Sequence, residues 1–356
     1  MCMILSDRRL TVALATAALV VLSLSPATAE VSLKGKTVQM GIGSDPGGGT
    51  DRAGRLVGQF LEKYLPGKPT VVIKNFGAGG GKIRAANYLA LEAPKDGTFA
   101  LQGDASPLQP HVLRRKVARY DPTKFRPVGA INRGGSVIFV RKDAHKRLMD
   151  AKAKPVIVGA ISGTRSWQIM LLMAKEYMGW NLKWVPGYKG TGALTKAIRQ
   201  GEIDMFATNN VYVINELVKD GVVDLLAQEG QGEGNDYVPR DSFKDVAIFP
   251  KLLAKANPPE IAIDAYNAVL KPGEADKWVM LPPGTPDDIV STYRAAYAKV
   301  VKDPDFLKIA RKQLSPEIYY ITGENVERLV RASADVSDKA IDFGAKLRKK
   351  YGLSAR

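Results

Sequence analysis

Two glycine-rich segments of the chain have the composition and position of anion-binding loops. The first is GSDPGGGTD at residues 43–51, and the second is FGAGGGK at residues 76–82. Each follows a short apolar strand and precedes a helix, so unpaired amides and the positive end of the helix dipole would attract negative charge. Glycines also let the backbone itself come close to a ligand. The two segments therefore predict a site for an anionic molecule.

A nucleotide is the first anion to test, because phosphate loops occur in this context. The dinucleotide fingerprint that starts at Gly41 has Pro46 at its third glycine position, and proline has no amide hydrogen to donate. In the second segment, Phe76 occupies the first glycine of a Walker A loop and Ile83 occupies its Ser/Thr position. The spacing thus excludes a nucleotide site, whereas a carboxylate or a free phosphate stays compatible with the loops.

The elements that must position these segments alternate between strands and helices. Residues 37–104 predict three strands separated by two helices, and residues 156–228 repeat the same pattern. The fold class is therefore α/β, with two lobes that each contain a central, mostly parallel sheet flanked by helices. We expect lobe 1 at residues 30–134, lobe 2 at residues 135–254, and a second crossover with the rest of lobe 1 at residues 255–356. Open α/β sheets bind ligands beyond the carboxyl ends of their strands, so the site should lie in the cleft between the lobes.

Three residues near the predicted cleft each have two readings. Asp51 is either the N-cap of the first helix or a ligand contact, although a bare carboxylate would repel an anion. Arg165 is either a solvated charge or a partner for a second carboxylate, which a guanidinium can hold by two parallel hydrogen bonds. Trp167 either stacks on an aromatic acid or buries its ring between helices. The sequence leaves these alternatives open.

The N-terminal segment predicts export from the cytoplasm. Two arginines precede an apolar run at residues 10–24, and a small-residue motif predicts cleavage after Ala29. We therefore expect residues 1–29 to be a signal peptide and the protein to be periplasmic. The only cysteine, Cys2, would be removed with the signal. This excludes disulfides and cysteine-ligated zinc from the mature chain.

The chain is strongly basic, with 52 Lys and Arg against 36 Asp and Glu and a formal net charge of +16. Such a surplus is typical of proteins that meet nucleic acid, an anionic membrane or an anionic small molecule, and it also occurs on ordinary solvated surfaces. The basic residues are scattered, without the aromatic motif of an RNA-binding domain. We therefore expect no nucleic-acid partner.

Catalytic machinery is not visible in the sequence. His111 and His145 are the only histidines, and neither has neighbours at metal-ligand spacing. The segment GTRSWQ at residues 163–168 does not match the G-x-S-x-G nucleophile motif. Asp287 and Asp288 sit at the start of a predicted helix, where their charge complements the dipole. We expect no enzyme activity, no cofactor and no metal.

A series of sequence blocks resembles the Bug proteins, the periplasmic substrate-binding components of tripartite tricarboxylate transporters. The blocks occur in the family's order and include GIGSDPGGGTDRAGRLV, KNFGAGGGKIRAANYLA, WVPGYKGTGAL and LPPGTPDDIV. The resemblance runs from about residue 33 to the C-terminus, and the run of blocks is more specific than any one block. It implies a type II periplasmic-binding-protein fold, in which two lobes joined by two crossover strands close on a small carboxylate.

The resemblance also implies ligand contacts, carried over position by position. The first-lobe contacts are Gly47, Gly48, Gly49, Thr50 and Asp51 in one loop and Gly77, Ala78, Gly79 and Gly80 in the other. The second-lobe contacts are Ser162, Gly163, Thr164, Tyr188, Lys189, Gly190 and Asn209. From the cleft loops we add Ser106, Arg165 and Trp167. The segment after Thr164 and the segments around residues 229–237 and 255–276 depart from the family pattern, which affects the identity of the ligand.

These observations together predict a monomeric, non-enzymatic binding protein. Its partners would be a small mono- or dicarboxylate, possibly aromatic, and the membrane subunits of a tripartite tricarboxylate-type transporter. A ligand-loaded sensor that docks on a signalling kinase is the alternative with the same fold. A periplasmic enzyme is the third hypothesis, which the missing nucleophile and metal motifs disfavour.

Overall fold

A computed structural model of the protein describes residues 31–77, 80–161, 165–233 and 236–354. The predicted signal peptide, residues 1–29, lies outside the described residues. Within those ranges, none of the helices combines the length and the apolar character needed to span a bilayer.

The described strands and helices alternate through most of the chain. The strands are β1 (Thr37–Ile42), β2 (Thr70–Asn75), β3 (Phe99–Gln102), β4 (Arg126–Asn132), β5 (Val137–Arg141), β6 (Val156–Ala160), β7 (Leu182–Pro186), β8 (Met205–Thr208), β9 (Val223–Gln228), β10 (Gln231–Glu233), β11 (Asp236–Val238), β12 (Lys277–Leu281) and β13 (Tyr319–Thr322). The helices are α1 (Gly49–Tyr64), α2 (Gly81–Leu91), α3 (Pro110–Leu113), α4 (Lys142–His145), α5 (Ser166–Tyr177), α6 (Thr191–Gln200), α7 (Val211–Lys219), α8 (Phe249–Lys255), α9 (Glu260–Glu274), α10 (Asp287–Val300), α11 (Pro304–Gln313), α12 (Gly323–Ala334) and α13 (Asp338–Lys350).

Two large sheets organise the molecule. The first has the order β13-β4-β12-β3-β1-β2, and only β12 and β13 run against the other strands. The second has the order β7-β6-β8-β5-β9, and only β5 runs against the others. Helices cover the faces of both sheets, so most strands read as continuous apolar runs rather than alternating ones. This is the two-sheet α/β fold that the sequence predicts.

Helix α1 shows how the sequence positions the first glycine segment. Its apolar residues recur at the spacing of one helical face, and the residues on that face, among them Leu56, Val57, Phe60 and Leu61, are buried against the first sheet. Each such side chain contributes roughly 1.5–3 kcal/mol to stability on burial. The helix starts directly after the three-glycine run, with Gly48 as its N-cap. The loop is therefore anchored by the packing of the helix that follows it.

The C-terminal third of the chain differs in part from its expected return to the first lobe. Residues 133–136 lead from β4 to β5 and residues 275–276 lead from α9 to β12, and these are two passages between the sheets. A third passage follows α12, because α13 packs against α9 and α5. The apolar faces of α9 and α13 belong to the core of the second sheet. Helices α9 and α13 therefore pack with the second sheet, while β12 and β13 of the same segment pair within the first sheet.

The segment after Gln228, which departs from the family pattern, contains a short hairpin. Strands β10 and β11 pair antiparallel, with Gln231 opposite Val238. Gly230, which lies between β9 and β10, has φ +87°, a left-handed conformation that favours glycine. The hairpin places the residues after β9 beside α9, where they line the cleft described below.

Candidate ligand-binding cleft

A cavity of about 1290 Å³ lies between the two sheets. Its wall contains residues that directly follow strands of both sheets: Asp104 after β3, Arg133 after β4, Ile161 after β6, Asn209 after β8 and Glu229 after β9. Crevices beyond the carboxyl ends of strands are the usual ligand sites of open α/β sheets. The cavity is therefore the candidate site, at the position expected from the strand pattern.

A smaller cavity of about 410 Å³ adjoins the first at the glycine loops of the first sheet. Its wall includes Gly43 after β1, Gly77 after β2, and the first turn of α2. The residues that line both cavities are Lys82, Ser106, Val112 and Arg115. The glycine loops therefore open into the same cleft through this shared group.

The start of α2 requires glycine at several positions. Gly80 is the N-cap in the left-handed conformation, at φ +88°, and no side chain caps this end of the helix. A Cβ atom at Gly77 would collide with the carboxylate of Asp45, and one at Gly81 would collide with the carbonyl oxygen of Phe76. The backbone at this end of α2 is thus held close to its surroundings, and the positive end of the helix dipole lies in the wall of the cleft.

Asp104 lies at the centre of an ionic network next to the residues that line both cavities. Its carboxylate forms an ion pair with Lys82, and its side chain is only 13 % exposed. Burial alone would raise the pKa of Asp104, but Lys82 and Lys277 outweigh it and lower that pKa. The indole N–H of Trp278 donates to the carbonyl oxygen of Asp104 at 2.6 Å, and the same ring packs on Gly103. Asp104 is therefore fixed in place and ionised.

A second ionic group lies where the two main passages between the sheets meet. The guanidinium of Arg133, before β5, donates to the carboxylate of Asp276 at 2.5 Å, and Lys277 donates to the same carboxylate at 2.7 Å. Burial opposes the charge of Asp276, yet Arg133 and Lys277 hold its pKa far below the ordinary value. The pairing joins the two passages, and its two cations and one carboxylate leave one net positive charge at this part of the wall.

Three cations of the cavity wall have no ion-pair partner in the described ranges: Arg115, Lys116 and Arg165. All three are exposed. His111 adds no charge at neutral pH, because burial, Arg348 and Arg115 lower its pKa to about 4. The cations that are free to attract an anion are therefore few, and Arg115 is the one that reaches both cavities.

The wall near the hairpin is acidic. Glu229 is 6 % exposed, and its carboxylate accepts a hydrogen bond from the backbone N–H of Ser136 at 3.2 Å. Burial raises the pKa of Glu229 to about 7, and the neighbouring Glu274 adds to the shift. Burial also raises the pKa of Glu274, whose carboxylate accepts from the hydroxyl of Tyr237 at 3.2 Å. The cleft therefore has an acidic region in addition to its free cations.

The raised pKa of Glu229 predicts a stability effect of pH. A glutamate in the unfolded chain titrates near 4.3, so below that pH the folded and unfolded states both hold a neutral carboxyl group. As pH rises from about 4.3 to about 7, the unfolded chain loses this proton before the folded protein does, and stability falls. A shift of this size amounts to roughly 3 kcal/mol. We expect Glu229→Gln to stabilise the ligand-free protein relative to wild type at pH 8 and much less at pH 5, measured by urea unfolding.

The matched control for this prediction is Glu260→Gln, which removes one exposed carboxylate at the start of α9. It tests whether a change of net charge alone alters the profile. A stability difference between Glu229→Gln and wild type that stays constant from pH 5 to pH 8 would contradict the assigned environment of Glu229.

The predicted contact residues fall into four groups. Those that line the main cavity are Ser106, Arg165, Trp167 and Asn209. Those that line the smaller cavity are Gly77 and Gly80, again with Ser106. Those that line neither cavity are Gly47, Gly48, Gly49, Thr50, Asp51, Tyr188, Lys189 and Gly190. Those that lie outside the described residues are Ala78, Gly79, Ser162, Gly163 and Thr164.

Asp51 has a structural role that differs from its reading as an N-cap. The N-cap of α1 is Gly48, and Asp51 is the third residue of the helix, so the N-cap reading is wrong. Its carboxylate accepts from the backbone N–H of Gly47 at 2.8 Å, from Arg55 at 2.9 Å and from the side-chain amide of Asn75 at 2.8 Å. Asp51 thereby ties the first glycine loop to the end of β2.

Trp167 is buried, as its packing reading predicts. The side chain is 6 % exposed and belongs to the core of the second sheet, so it is mainly a packing residue. The residue also forms part of the cavity wall. An aromatic ligand could therefore meet only the small exposed part of the ring.

Three charged residues of the cleft wall, Arg115, Glu229 and Glu274, were not predicted from the sequence. Arg115 lies after the short α3, in a region without a periodic pattern, and Glu274 lies at the end of α9. Glu229 follows an apolar strand directly, so the carboxyl-end rule could have identified it. The wall contributed by α13 was not foreseen either. There Arg114 donates to the carboxylate of Asp338 at 3.0 Å and so connects α3 to α13.

A buried ion pair lies behind the cleft. Arg240 is fully buried, and its guanidinium donates to the carboxylate of Glu317 at 2.8 Å. It also donates to the carbonyl oxygens of Gly135 at 2.7 Å and Arg133 at 2.9 Å. Glu317 accepts a further hydrogen bond from the backbone N–H of Ser242. The pair thus joins the first passage between the sheets to the segment that precedes β13.

Comparisons with known proteins identify the fold. No protein-family model matches the chain, and no curated protein sequence matches it either. Similar solved structures include a TctC solute-binding protein from Polaromonas, with a TM-score of 0.65, 18 % identity, and coverage of 90 % of this chain and 100 % of that chain. The periplasmic binding protein BugD has a TM-score of 0.57, 20 % identity, and coverage of 90 % and 99 %. An R. palustris protein with adipate has a TM-score of 0.58, 19 % identity, and coverage of 91 % and 99 %.

The structural neighbours are thus periplasmic solute-binding proteins of the TctC and Bug type, matched over about nine-tenths of the chain. At these identities the likeness concerns the fold. It confirms the two-lobe periplasmic-binding-protein architecture and the structural side of the resemblance to the Bug proteins.

Proposed function

We propose that the protein is a periplasmic solute-binding protein that captures a small organic carboxylate and delivers it to a tripartite tricarboxylate-type transporter. The observation that carries the proposal is the cavity between the two sheets, where free cations and the start of α2 meet at the carboxyl ends of the strands. The fold shared with solute-binding proteins supports it, and one such protein has adipate bound. In this proposal the ligand is bound and released unchanged.

The carboxylate would bind first at the residues that both cavities share. Arg115 supplies a free charge, and Lys82 and Ser106 supply further donors, with the ammonium of Lys82 3.0 Å from the hydroxyl of Ser106. Hydrogen bonds from charged donors to a carboxylate are short and about twice as strong as neutral ones. This part of the site belongs to the first sheet.

Closure would bring in the second sheet. Arg165 at the start of α5 and Asn209 at the end of β8 line the opposite half of the main cavity. A ligand that contacts both halves stabilises the closed state by its differential affinity for that state. The moving bodies in this proposal are built around residues 30–134 and 135–254, with α9 and α13 moving with the second body.

Titration calorimetry against succinate, adipate, benzoate and inorganic phosphate tests the proposal. We expect at least one carboxylate to bind and to raise the melting temperature, since a ligand at 100 times its Kd stabilises the folded state by about 2.7 kcal/mol. Phosphate should bind more weakly than that carboxylate. Binding of phosphate alone, or of no organic carboxylate either in this panel or among amino carboxylates such as aspartate and 4-aminobutanoate, would overturn the assignment.

A further inference from the structure

The acidic region of the cleft, formed by Glu229, Glu274 and Tyr237, offers more hydrogen-bond acceptors than the protein satisfies. The carboxylates of Glu229 and Glu274 both line the cavity. The charged groups that act on Glu229 are Glu274, Asp276 and Arg240, and Arg240 is itself paired with Glu317. Lys271, an exposed residue of α9, acts on Glu274 and partly offsets the rise in its pKa. Among the described residues, no cation forms an ion pair with the carboxylate of Glu229 or Glu274. A pair of carboxylates in this setting would attract a cation from the ligand.

Gln109 provides an independent sign of a missing donor. The residue is 7 % exposed and lines the cavity. Its side-chain N–H donates to the carbonyl oxygen of Val269 at 3.2 Å, which orients the amide. The Oε1 atom is buried and has no hydrogen-bond partner in the described part of the chain. A buried acceptor without a donor is costly unless a ligand or water supplies one.

The position of Gln109 relates to the acidic region through α9. Val269, which Gln109 contacts, lies five residues before Glu274 on that helix. At a rise of 1.5 Å per residue, this places the two about 7 to 8 Å apart along the helix axis. The unpaired acceptor and the acidic residues therefore line the same cavity at neighbouring turns of α9.

Two further buried groups near the hairpin have the same character. Tyr266 is 2 % exposed, and its buried hydroxyl has no hydrogen-bond partner among the described residues. Glu229 and Tyr237 both act on it electrostatically. The Oε1 atom of Gln231, on β10, is also buried without a partner there. These residues thus supply carboxylates, amide oxygens and hydroxyls, and none of them carries a positive charge.

We propose that the ligand is an amino carboxylate, whose ammonium group binds at Glu229, Glu274 and Gln109 while its carboxylate binds at the residues shared by the two cavities. The proposal rests on the function proposed above and specifies its ligand class. An ammonium group donates three hydrogen bonds and carries the charge that the two glutamates require. A bound metal ion would fit less well, because the described residues contain no group of three metal-ligating side chains.

Ionisation of Glu229 gives the proposal a pH signature. The groups that face Glu229 are Glu274 and Tyr266 from α9, Tyr237 from β11, and Asp276 and Arg240. Because the pKa of Glu229 is raised to about 7 by burial, the carboxylate is largely neutral at pH 6 and largely ionised at pH 8. The affinity for an amino carboxylate should therefore increase from pH 6 to pH 8, while that for a diacid should not.

The test compares two length-matched pairs of ligands by titration calorimetry at pH 8: 4-aminobutanoate with pentanedioate, and aspartate with succinate. In at least one pair, we expect the amino compound to bind at least about tenfold more tightly than the diacid that has no amino group. Glu229→Gln should remove most of that preference and its pH dependence. The stability measurement described for this variant shows independently whether it folds.

Asp342→Asn is the matched control, because Asp342 is an exposed carboxylate on the α13 wall of the same cavity. It should retain the preference; loss of the preference in both variants would mean that overall cavity charge, not the Glu229 region, selects the ligand. Diacids that bind as tightly as the amino compounds would overturn the ligand class and leave the proposed function standing. If none of the four compounds binds and no carboxylate of the earlier panel binds, the proposed function itself fails.

Discussion

Replacement of Arg240 by methionine should lower the free energy of unfolding by about 3–5 kcal/mol, the cost of breaking a buried ion pair on one side. The side chain of Arg240 is fully buried and that of Glu317 is 5 % exposed, so the remaining carboxylate would lack both its partner and water. The carbonyl oxygens of Arg133 and Gly135 would lose their donor as well. Urea unfolding at pH 7 measures the effect.

A double variant separates the ion pair from the packing of the side chain. Replacing both partners, as in Arg240→Met with Glu317→Gln, removes the isolated charge and should restore part of the lost stability. The double variant would still lack the donors to the two carbonyl oxygens, so recovery should be incomplete. If the free energy of unfolding of Arg240→Met lies within about 1 kcal/mol of the wild-type value, the ion pair does not hold the passage at residues 133–136 as the structure indicates.

Arg115→Ala should weaken binding of the carboxylate that the calorimetric panel identifies by about 10- to 100-fold. A hydrogen bond from a charged donor contributes roughly 1.5–3 kcal/mol, and each 1.4 kcal/mol changes affinity tenfold. Arg115 reaches both cavities, and no ion pair within the described residues occupies its guanidinium. The fold should be unaffected, because the side chain is exposed.

Arg119→Ala is the charge-matched control for Arg115→Ala. Arg119 is exposed and lines neither cavity, and its backbone N–H, which the substitution leaves in place, donates to Asn87 at 2.7 Å. Equal losses in the two variants would indicate long-range attraction by the net charge rather than a contact. Unchanged affinity in Arg115→Ala would move the carboxylate away from the shared residues.

Most of the charge in the cleft is neutralised within the protein. Lys82 pairs with Asp104, and Arg133 and Lys277 pair with Asp276. Such pairs hold the wall in one geometry before the ligand arrives, which lowers the ordering cost of binding. Selection then depends on a small number of unpaired groups, namely the free cations and the acidic region near the hairpin.

The sequence determined the local features of this protein, because they depend on neighbours in the chain. The apolar spacing in α1 and the glycine run before it predicted a strand, a loop and a helix that the structure confirms. The rule that ligands bind at the carboxyl ends of strands placed Ser106, Arg165 and Asn209 near a cleft, and all three line the main cavity.

The tertiary structure decided which side chains share that cleft and which charges are paired. Arg240 and Glu317 are 77 residues apart, and Glu229 meets Ser136 across 93 residues, so no local pattern brings either pair together. The raised pKa of Glu229 and the exclusion of water from Arg240 both arise from burial. That burial depends on how α9, α13 and the hairpin pack. A glycine loop can be recognised from its sequence because its backbone conformation is local, whereas the strength of a charge depends on its surroundings in three dimensions.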